Sequence, residues 1–256
     1  NNGTNSYQTV KLGADIDMNG DDWVPIGFHN GKGTVKTFSG TFDGQGHVIS
    51  NMKINITDTD NLYLGLFSYS SCDISNLILY NPIIYNTTDN VRRDNTVYVS
   101  FLCSLTTKRI DAINNCRIIN GHININNTGK HINHVLIGCI CAYVYTPSSS
   151  NFNINGCYVE VEFNIKGNIL PDFGGIANNN GFLNKCGVKI TGIIDINLRY
   201  LDSTIIMNGL TLLNNTTALQ INNCYVHMNF KFNIYARLIT VSYNYIICGI
   251  GFKSSG

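Results

Sequence analysis

The hexapeptide INGCYV at residues 154–159 belongs to a pattern that recurs along the chain. Each instance has an apolar residue, a polar or small pair, Cys or Leu, any residue, and then an aliphatic residue. The other instances are ISNLIL (74–79), INNCRI (113–118), LNKCGV (183–188) and INNCYV (221–226). An upstream pattern precedes each one: LGLFS (64–68), VSFLC (99–103), IGCIC (137–141), GGIAN (174–178) and NGLTL (208–212), with a lone CGIGF at 248–252. The chain therefore repeats one structural unit.

The spacing and the alternation of residue types indicate what that unit is. Successive upstream segments start 35, 38, 37, 34 and 40 residues apart, a period that also suits helical repeats and propeller blades. Two hexapeptide rows are apolar: Leu77, Cys116, Cys157, Cys186, Cys224, and Leu79, Ile118, Val159, Val188, Val226. The rows between them are mixed: Ile78, Arg117, Tyr158, Gly187, Tyr225, and Tyr80, Ile119, Glu160, Lys189, His227. Alternation with period two predicts strands with an inward apolar face and an outward face in water.

The upstream segments align in the same way. The expected row contains Leu64, Val99, Ile137, Gly174, Asn208 and Cys248. A third β-rich run follows each hexapeptide from the second onward: HININ (122–126), EFNIK (162–166), IIDIN (193–197) and FKFNI (230–234). Three strands per repeat, without an amphipathic helix or a hairpin return, predict an all-β chain folded as a right-handed parallel β-helix of about six to eight coils. A four-stranded propeller blade is the alternative, but it requires a fourth strand and hairpin turns.

We expect residues 1–256 to form a single β-helix domain. Residues 1–60 supply an N-terminal capping segment and the first coil, and residues 61–256 supply repeats of about 36 residues with an incomplete last coil. The segments 106–112 and 145–153 are expected to protrude. Because CGIGF opens a sixth coil that lacks its second strand, we expect the chain to be a fragment, or a neighbouring domain or subunit to cover that end.

Composition disfavours several classes of function. The net charge is +1 and only 13% of residues are charged, so the field is too weak to favour nucleic-acid binding. The apolar runs are far shorter than the roughly 20 residues that span a bilayer, and no charged-then-apolar leader opens the chain. Asn occupies 38 of the 256 positions, which predicts many tight turns.

The acidic stretch ADIDMNGDDW (14–23) resembles a calcium loop in isolation. Residues 15–20 match the first six positions of an EF-hand loop. The twelfth position, where an EF-hand needs a bidentate Glu, is Ile26. We therefore favour a strand from Lys11 to Asp17 that ends in an Asn19–Gly20 turn, with solvated carboxylates and no metal.

Two histidine-containing stretches also have structural interpretations. In FDGQGH (42–47), Asp43 and His47 could form an acid and base pair, but Gly44 and Gly46 are typical of a tight turn with positive φ, which His47 would cap. In HINH, His131 and His134 have no Cys or carboxylate nearby in sequence, so we predict a solvated loop rather than a metal site.

The cysteines are predicted to be buried free thiols. Cys116, Cys157, Cys186 and Cys224 lie in one inward row, and parallel Cβ bonds in stacked coils suit disulfide geometry poorly. Nine is an odd number, no Cys-x-x-Cys occurs, and Cys139 and Cys141 are too close in sequence for a normal zinc pair.

The fold itself suggests an enzyme, because many β-helix proteins are polysaccharide lyases or glycosidases, whose chemistry needs paired carboxylates. Glu160 and Glu162, the chain's two glutamates, share an outward strand face, with Lys189 one coil away. A surface cross-strand charge pair is the commoner meaning of this pattern. Asp172 and Asp195 lie in other coils and are not expected to converge. No catalytic, cofactor or metal residue is assigned.

The N-terminal part carries a distinctive phrase: KLGADIDMNGDDWVPIG, then FSGTFDGQGHVISNMKI, LGLFS and ISNLIL. It resembles the opening of GLUG-type repeat proteins, which are adhesin-related surface proteins. The matching residues are Trp23, Pro25, Ile26, Gly27, Gly40, Thr41, Phe42, Asp43, Gly44, Gly46 and His47. The resemblance is strong over residues 11–84, and it implies a right-handed β-helix at a cell surface with no shared active site.

Together these observations favour an extracellular or cell-surface structural and adhesive module, part of a larger surface protein. We expect it to bind a glycan or a host or cell-surface protein through its outward face and loops, with Tyr80, Tyr158 and Tyr225 as contacts. A carbohydrate-active enzyme and a viral spike fragment on the same fold are the alternatives. Ice binding is disfavoured because the outward rows mix Arg, Glu, Lys, His and Tyr. No cofactor, nucleic-acid partner or membrane span is expected.

Overall fold

The computed structural model describes residues 8–29, 35–56, 63–86, 96–106, 113–128, 133–144, 153–178, 182–200, 205–214, 220–238, 245–248 and 251–254. Strands are the regular secondary structure of these ranges, and no helix occurs in them. The first fifteen are β1 (Thr9–Lys11), β2 (Ile16–Asp17), β3 (Phe28–His29), β4 (Val35–Lys36), β5 (Phe38–Asp43), β6 (Val48–Ser50), β7 (Lys53–Ile56), β8 (Tyr63–Leu64), β9 (Phe67–Ser75), β10 (Ile78–Tyr80), β11 (Ile83–Asn86), β12 (Val97–Val99), β13 (Cys103–Thr106), β14 (Ile113–Asn114) and β15 (Arg117–Asn127). The others are β16 (Asn133–Gly138), β17 (Cys141–Val144), β18 (Asn153–Asn155), β19 (Tyr158–Gly167), β20 (Ile169–Gly174), β21 (Ala177–Asn178), β22 (Phe182–Asn184), β23 (Gly187–Tyr200), β24 (Ile205–Asn208), β25 (Thr211–Asn214), β26 (Gln220–Asn222), β27 (Tyr225–Leu238), β28 (Tyr245–Cys248) and β29 (Gly251–Ser254).

Three parallel sheets run along the molecule. The first has twelve strands in the order β26-β22-β18-β14-β9-β13-β17-β21-β25-β29, with β5 beside β9 and β1 beside β5. The second has nine strands, β2-β6-β10-β15-β19-β23-β27 with β7 and β11, and the third has six, β28-β24-β20-β16-β12-β8. Each strand pairs in parallel with its equivalent one repeat away. This arrangement confirms the parallel β-helix, and the propeller alternative, which needs antiparallel blades, is wrong.

A complete coil contains four strands rather than three. In the coil formed by β12, β13, β14 and β15, the strands belong to the third, first, first and second sheets. The first sheet takes two of them because β9 of the preceding coil is continuous and pairs with both β13 and β14. The antiparallel pair β3 and β4 lies outside these sheets.

The hexapeptide rows lie as expected. Leu79, Ile118, Val159 and Val188 stack in register inside the rod, and none is more than 1% exposed. The alternate positions face outward, and Tyr225 is 60% exposed. A bulge between Ile118 and Gly121 interrupts the second outward row at Ile119. Each buried aliphatic side chain contributes about 1.5–3 kcal/mol, so the inward rows are the main source of stability.

The upstream rows differ from the expected alignment by one residue from the fourth copy onward. Ile137 pairs with Phe173 rather than Gly174, and Gly138 pairs with Gly174. Two adjacent glycines make the sequence compatible with both alignments. A slip of one residue exchanges the two faces of a strand, and it is Phe173 that lies fully buried.

Residues 9–26 form a partial coil at the N-terminal end of the rod. Strand β1 pairs with β5 and β2 pairs with β6, so the predicted strand from Lys11 to Asp17 is two strands in two sheets. Further along, Asp22 pairs with Lys53 and Ile26 with Phe67. The expected protrusions 106–112 and 145–153 lie, apart from Thr106 and Asn153, outside the described residues.

Side-chain amides bridge successive coils at the turns. One ladder runs from Asn120 through Asn81 and Asn51 to Asp17, with N···O distances of 3.3, 2.8 and 2.8 Å. A second runs from Asn115 through Asn76 to Asp43, at 3.4 and 3.0 Å. Each amide donates toward the N-terminal end, where the last acceptor is a carboxylate. The abundance of Asn is thus explained by turns and by bridges between coils.

Candidate ligand-binding face

The outward side of the second sheet carries an open cavity of about 470 Å³, which we call the amide groove. It lies where β7, β11, β15 and β19 run side by side. Its lining residues are Lys53, Ile83, Tyr85, Asn86, Asn124, Ile125, Asn126, Asn164 and Lys166. The groove therefore crosses four successive coils.

Strand alternation positions the polar side chains of the groove. Ile123 and Ile125 of β15 point inward and are at most 3% exposed, which turns Asn124 and Asn126 outward. In β19 the same alternation turns Asn164 and Lys166 outward, in register with the two asparagines. The third β-rich run of the repeat thus builds the floor of the groove.

Several of these amides are available to a ligand. Within the described ranges, the side chains of Asn124, Asn126 and Asn164 make no hydrogen bond. Asn86, in contrast, donates to the backbone oxygen of Asn126 at 2.9 Å and accepts from its backbone N–H at 2.8 Å. A primary amide both donates and accepts, so the three exposed amides can recognise hydroxyl groups.

Tyr85 forms an oriented aromatic wall. Its hydroxyl donates to Oδ1 of Asp22, two coils away, at 2.6 Å. This hydrogen bond to a carboxylate raises the pKa of Tyr85 to about 12. Ile83 lies beside it on the same outward face, so the groove combines apolar surface with amides.

Two lysines are among the lining residues. Lys53 and Lys166 belong to the first and last strands of the groove, and neither forms an ion pair with another described residue. The ammonium group of Lys53 lies toward the Asn19–Gly20 turn, with Nζ 3.3 Å from the position of a Cβ on Gly20. Asp195 lies in register with Lys166 one coil beyond the groove, and Asp22 lies in register with Lys53 on the other side. No carboxylate is among the described lining residues, so this part of the lining has a positive charge.

The two glutamates face outward as predicted, but each lies against a basic side chain of a neighbouring coil. Glu160 Oε1 accepts from Lys189 Nζ at 2.7 Å, and this hydrogen bond raises the pKa of Lys189. Glu162 lies 3.5 Å from His122 Nδ1 on the opposite side. This geometry is that of cross-strand charge pairs. The depression beside them holds only about 90 Å³.

An exposed tyrosine pair lies near Glu160. Tyr158 and Tyr225 are two coils apart, with ring centroids separated by 6.4 Å. Gly187 lies between them, and a Cβ there would collide with the ring of Tyr225, so the glycine lets that ring lie flat on the sheet. Partial burial raises the pKa of Tyr158. Tyr80, the third predicted contact, is 49% exposed. It lies two coils before Tyr158 and two positions further along its strand, and it does not join this pair.

The acidic N-terminal stretch is a turn, as favoured from its sequence. Asn19 and Gly20 have φ of 51° and 75°. The carboxylates are exposed but are not merely solvated, which corrects the expectation. Asp17 accepts from Asn51 and from the N–H of Asn19, and Asp15 accepts from the N–H of Val48 at 3.0 Å. The contacts with Asn51 and Val48 join the next coil.

FDGQGH is also a turn, with different roles for its residues. Positive φ occurs at Gln45 and Gly46, whereas Gly44 is required because a Cβ there would meet the backbone of Asn76 and Leu77. The backbone N–H of His47 closes the turn by donating to the Gly44 carbonyl at 2.8 Å, whereas its side chain contacts another coil. Its Nδ1 lies 3.0 Å from Asp15 Oδ1 in the preceding coil.

The eight described cysteines are free, which agrees with the prediction, and seven of them are buried. In the inward row, each thiol lies within hydrogen-bonding distance of the carbonyl two residues earlier, for example Cys116 with Asn114 at 3.4 Å. Burial raises the pKa of the Cys157 thiol and raises that of Cys186 to about 12. These thiols are therefore poor nucleophiles.

His134 lies in strand β16 and not in a loop, which corrects the sequence interpretation. Its Nε2 is 2.8 Å from Asp172 Oδ2, and its Nδ1 is 3.3 Å from the Thr96 hydroxyl. The sequence did contain a signal for this pairing, because His134 and Asp172 are 38 residues apart, which is about the length of one repeat. His131 lies outside the described residues, and no group of three metal-ligating side chains occurs within them.

The protein is therefore a parallel β-helix with a groove of ligand size on its outward face. The chain is 34% identical over 92 residues to halomucin of Haloquadratum walsbyi, a match that spans 32% of this chain and 1% of halomucin. A Bacteroides ovatus protein assigned as an immunoglobulin A1 protease superposes with a TM-score of 0.46 at 18% identity, covering 97% of this chain and 79% of that one. No family profile matches the sequence. Within the described ranges, no helix has the length and hydrophobicity that a bilayer crossing requires.

Proposed function

We propose that this chain is a cell-surface or extracellular β-helix module that binds glycans through the amide groove. The observation that carries the proposal is a row of three outward amides beside the aromatic wall of Tyr85. The side chains of these residues, Asn124, Asn126 and Asn164, have no hydrogen-bonding partner in the part of the chain that the structure describes. Sugar rings present hydroxyls that pair with amides and C–H faces that pack on aromatic rings. A pocket of several hundred Å³ with a few convergent polar groups is typical of a small-ligand site.

One comparison supports placement at a surface, because a third of the chain is similar to halomucin of Haloquadratum walsbyi. The resemblance of residues 11–84 to GLUG-type surface proteins, which rests on sequence phrases alone, points the same way. The ion pairs of Glu160 and Glu162 give no separate support to the enzyme alternative. We also propose an adhesive role for the chain, and a partner that covers its sixth coil.

A glycan array tests this function. Wild-type protein is expected to bind a subset of glycans, and the double variant Asn124→Ala, Asn164→Ala is expected to bind them about tenfold more weakly, because two hydrogen bonds are lost. Asn229→Ala, on the same face two coils beyond Asn164, is the matched control and should bind normally. Binding that is equal in all three proteins would place the glycan elsewhere.

A further inference from the structure

We infer that the amide groove selects acidic glycans, that is, chains of sugars that carry carboxylates. This inference rests on the proposed function and names the substrate class of the same site. The observation behind it is the position of the charges. Among the described residues, Lys53 and Lys166 line the groove, no carboxylate does, and neither ammonium group forms an ion pair.

The nearby carboxylates do not neutralise these ammonium groups. Asp22 accepts the short hydrogen bond from Tyr85, which faces it across two coils. Asp195 lies in the coil beyond Lys166, in register with it, but forms no ion pair with it. Glu162, the other acid of β19, lies against His122. An anionic ligand is therefore the partner that the two lysines lack.

The spacing of the lysines suits a chain rather than a single sugar. Strands β7, β11, β15 and β19 follow one another at about 4.8 Å, so Lys53 and Lys166 lie on strands about 14 Å apart. Lys53 is in register with Glu162, and Lys166 lies four residues, or about 13 Å, further along that strand. The diagonal between the two lysines is about 20 Å, which an extended chain of sugars can span, with hydroxyls on Asn124 and Asn164 and carboxylates at the two ends.

Matched ligand pairs test the inference by calorimetry. The first pair is an α-1,4-linked galacturonate tetramer and its full methyl ester, and the second is sialyllactose and lactose. We expect the galacturonate tetramer to bind at least tenfold more tightly than its ester, and this binding to weaken as salt rises from 50 to 500 mM. A preference for sialyllactose alone would overturn the geometry of two charged ends, because that ligand has one carboxylate.

Variants separate this inference from the proposed function. Lys53→Gln and Lys166→Gln should each weaken acidic binding by roughly tenfold and leave neutral glycans unaffected, because each removes a charged hydrogen bond. Lys185→Gln, on a turn outside the groove, is the control. Equal binding of acidic and neutral members would overturn the acidic selectivity and leave glycan binding intact. Absence of binding to every glycan on the array would overturn both.

Discussion

At the residue scale, one backbone position explains much of the repeat. The residue before each inward Cys or Leu of the hexapeptide has left-handed φ. In chain order these residues are Asn76 (φ 54°), Asn115 (53°), Gly156 (65°), Lys185 (53°) and Asn223 (53°). Asn and Gly tolerate this conformation, but Lys pays about 1–2 kcal/mol for its Cβ. Lys185 is therefore a strained position in an otherwise compatible row.

Lys185→Gly should stabilise the protein. Removing the Cβ relieves the left-handed strain, and the greater freedom of Gly in the unfolded chain offsets part of the gain. We expect the free energy of unfolding to rise by about 0.5–1 kcal/mol in urea denaturation. Lys166→Gly, at an exposed position near the end of β19, should lower it. A loss of stability at Lys185 would contradict the argument.

At the element scale, the amide ladders make the turns of neighbouring coils interdependent. In the ladder from Asn120 to Asp17, every amide donates toward the N-terminal end. Such a ladder needs a group that only accepts at its last position, and an ionised Asp is that group. The second ladder ends in the same way, at Asp43. The direction of donation thus explains why the first turns are acidic.

Asn81→Asp tests this direction. Aspartate tolerates positive φ and still accepts from Asn120, but it cannot donate to Asn51 and places oxygen against oxygen. We expect a loss of about 1–3 kcal/mol at pH 7 by urea denaturation. Asn229→Asp, outside both ladders, makes the same change of charge and should have little effect. Equal losses in the two variants would mean that charge, and not direction, is responsible.

At the scale of the whole molecule, ionised carboxylates join the N-terminal partial coil and the coil that follows it to the rest of the rod. Hydrogen bonds from the Val48 N–H, the Asn51 amide and the Asn76 amide lower the pKa values of Asp15, Asp17 and Asp43, respectively. A lowered folded-state pKa contributes stability that is present above the unfolded value of about 3.9 and is lost as pH falls through the folded value. Acid should therefore loosen this end first.

The single tryptophan reports on that end. Trp23 lies in the partial coil, and its indole N–H donates to the Leu66 carbonyl at 3.0 Å. As the pH is lowered from 6 to 2, we expect its fluorescence to change at a higher pH than the far-ultraviolet circular dichroism of the sheets. In the variant with Asp15, Asp17 and Asp43 all changed to Asn, the early change should disappear. Coincident transitions in the wild type would show that the whole rod responds to acid together.

The sequence by itself determined the class of fold and the inward face of the hexapeptide. Cys116, Cys157 and Cys186 recur at one place in each repeat, and period-two alternation is a local property that a single chain displays without its neighbours. The turns at Asn19–Gly20 and at Gly46 could be predicted from the sequence for the same reason, because the ability to adopt positive φ is a property of the residue itself.

Only the tertiary structure decided how the coils are aligned and which side chains meet. The choice between Gly174 and Gly175 as the partner of Gly138 depended on burying Phe173, which is a contact between coils. His134 and Asp172 are distant in sequence and become neighbours only when the repeats stack. In the same way, Lys53 and Lys166 come to opposite ends of one groove only in the stacked rod. The fold follows from local alternation, whereas the site depends on register, and register is a property of the assembled rod.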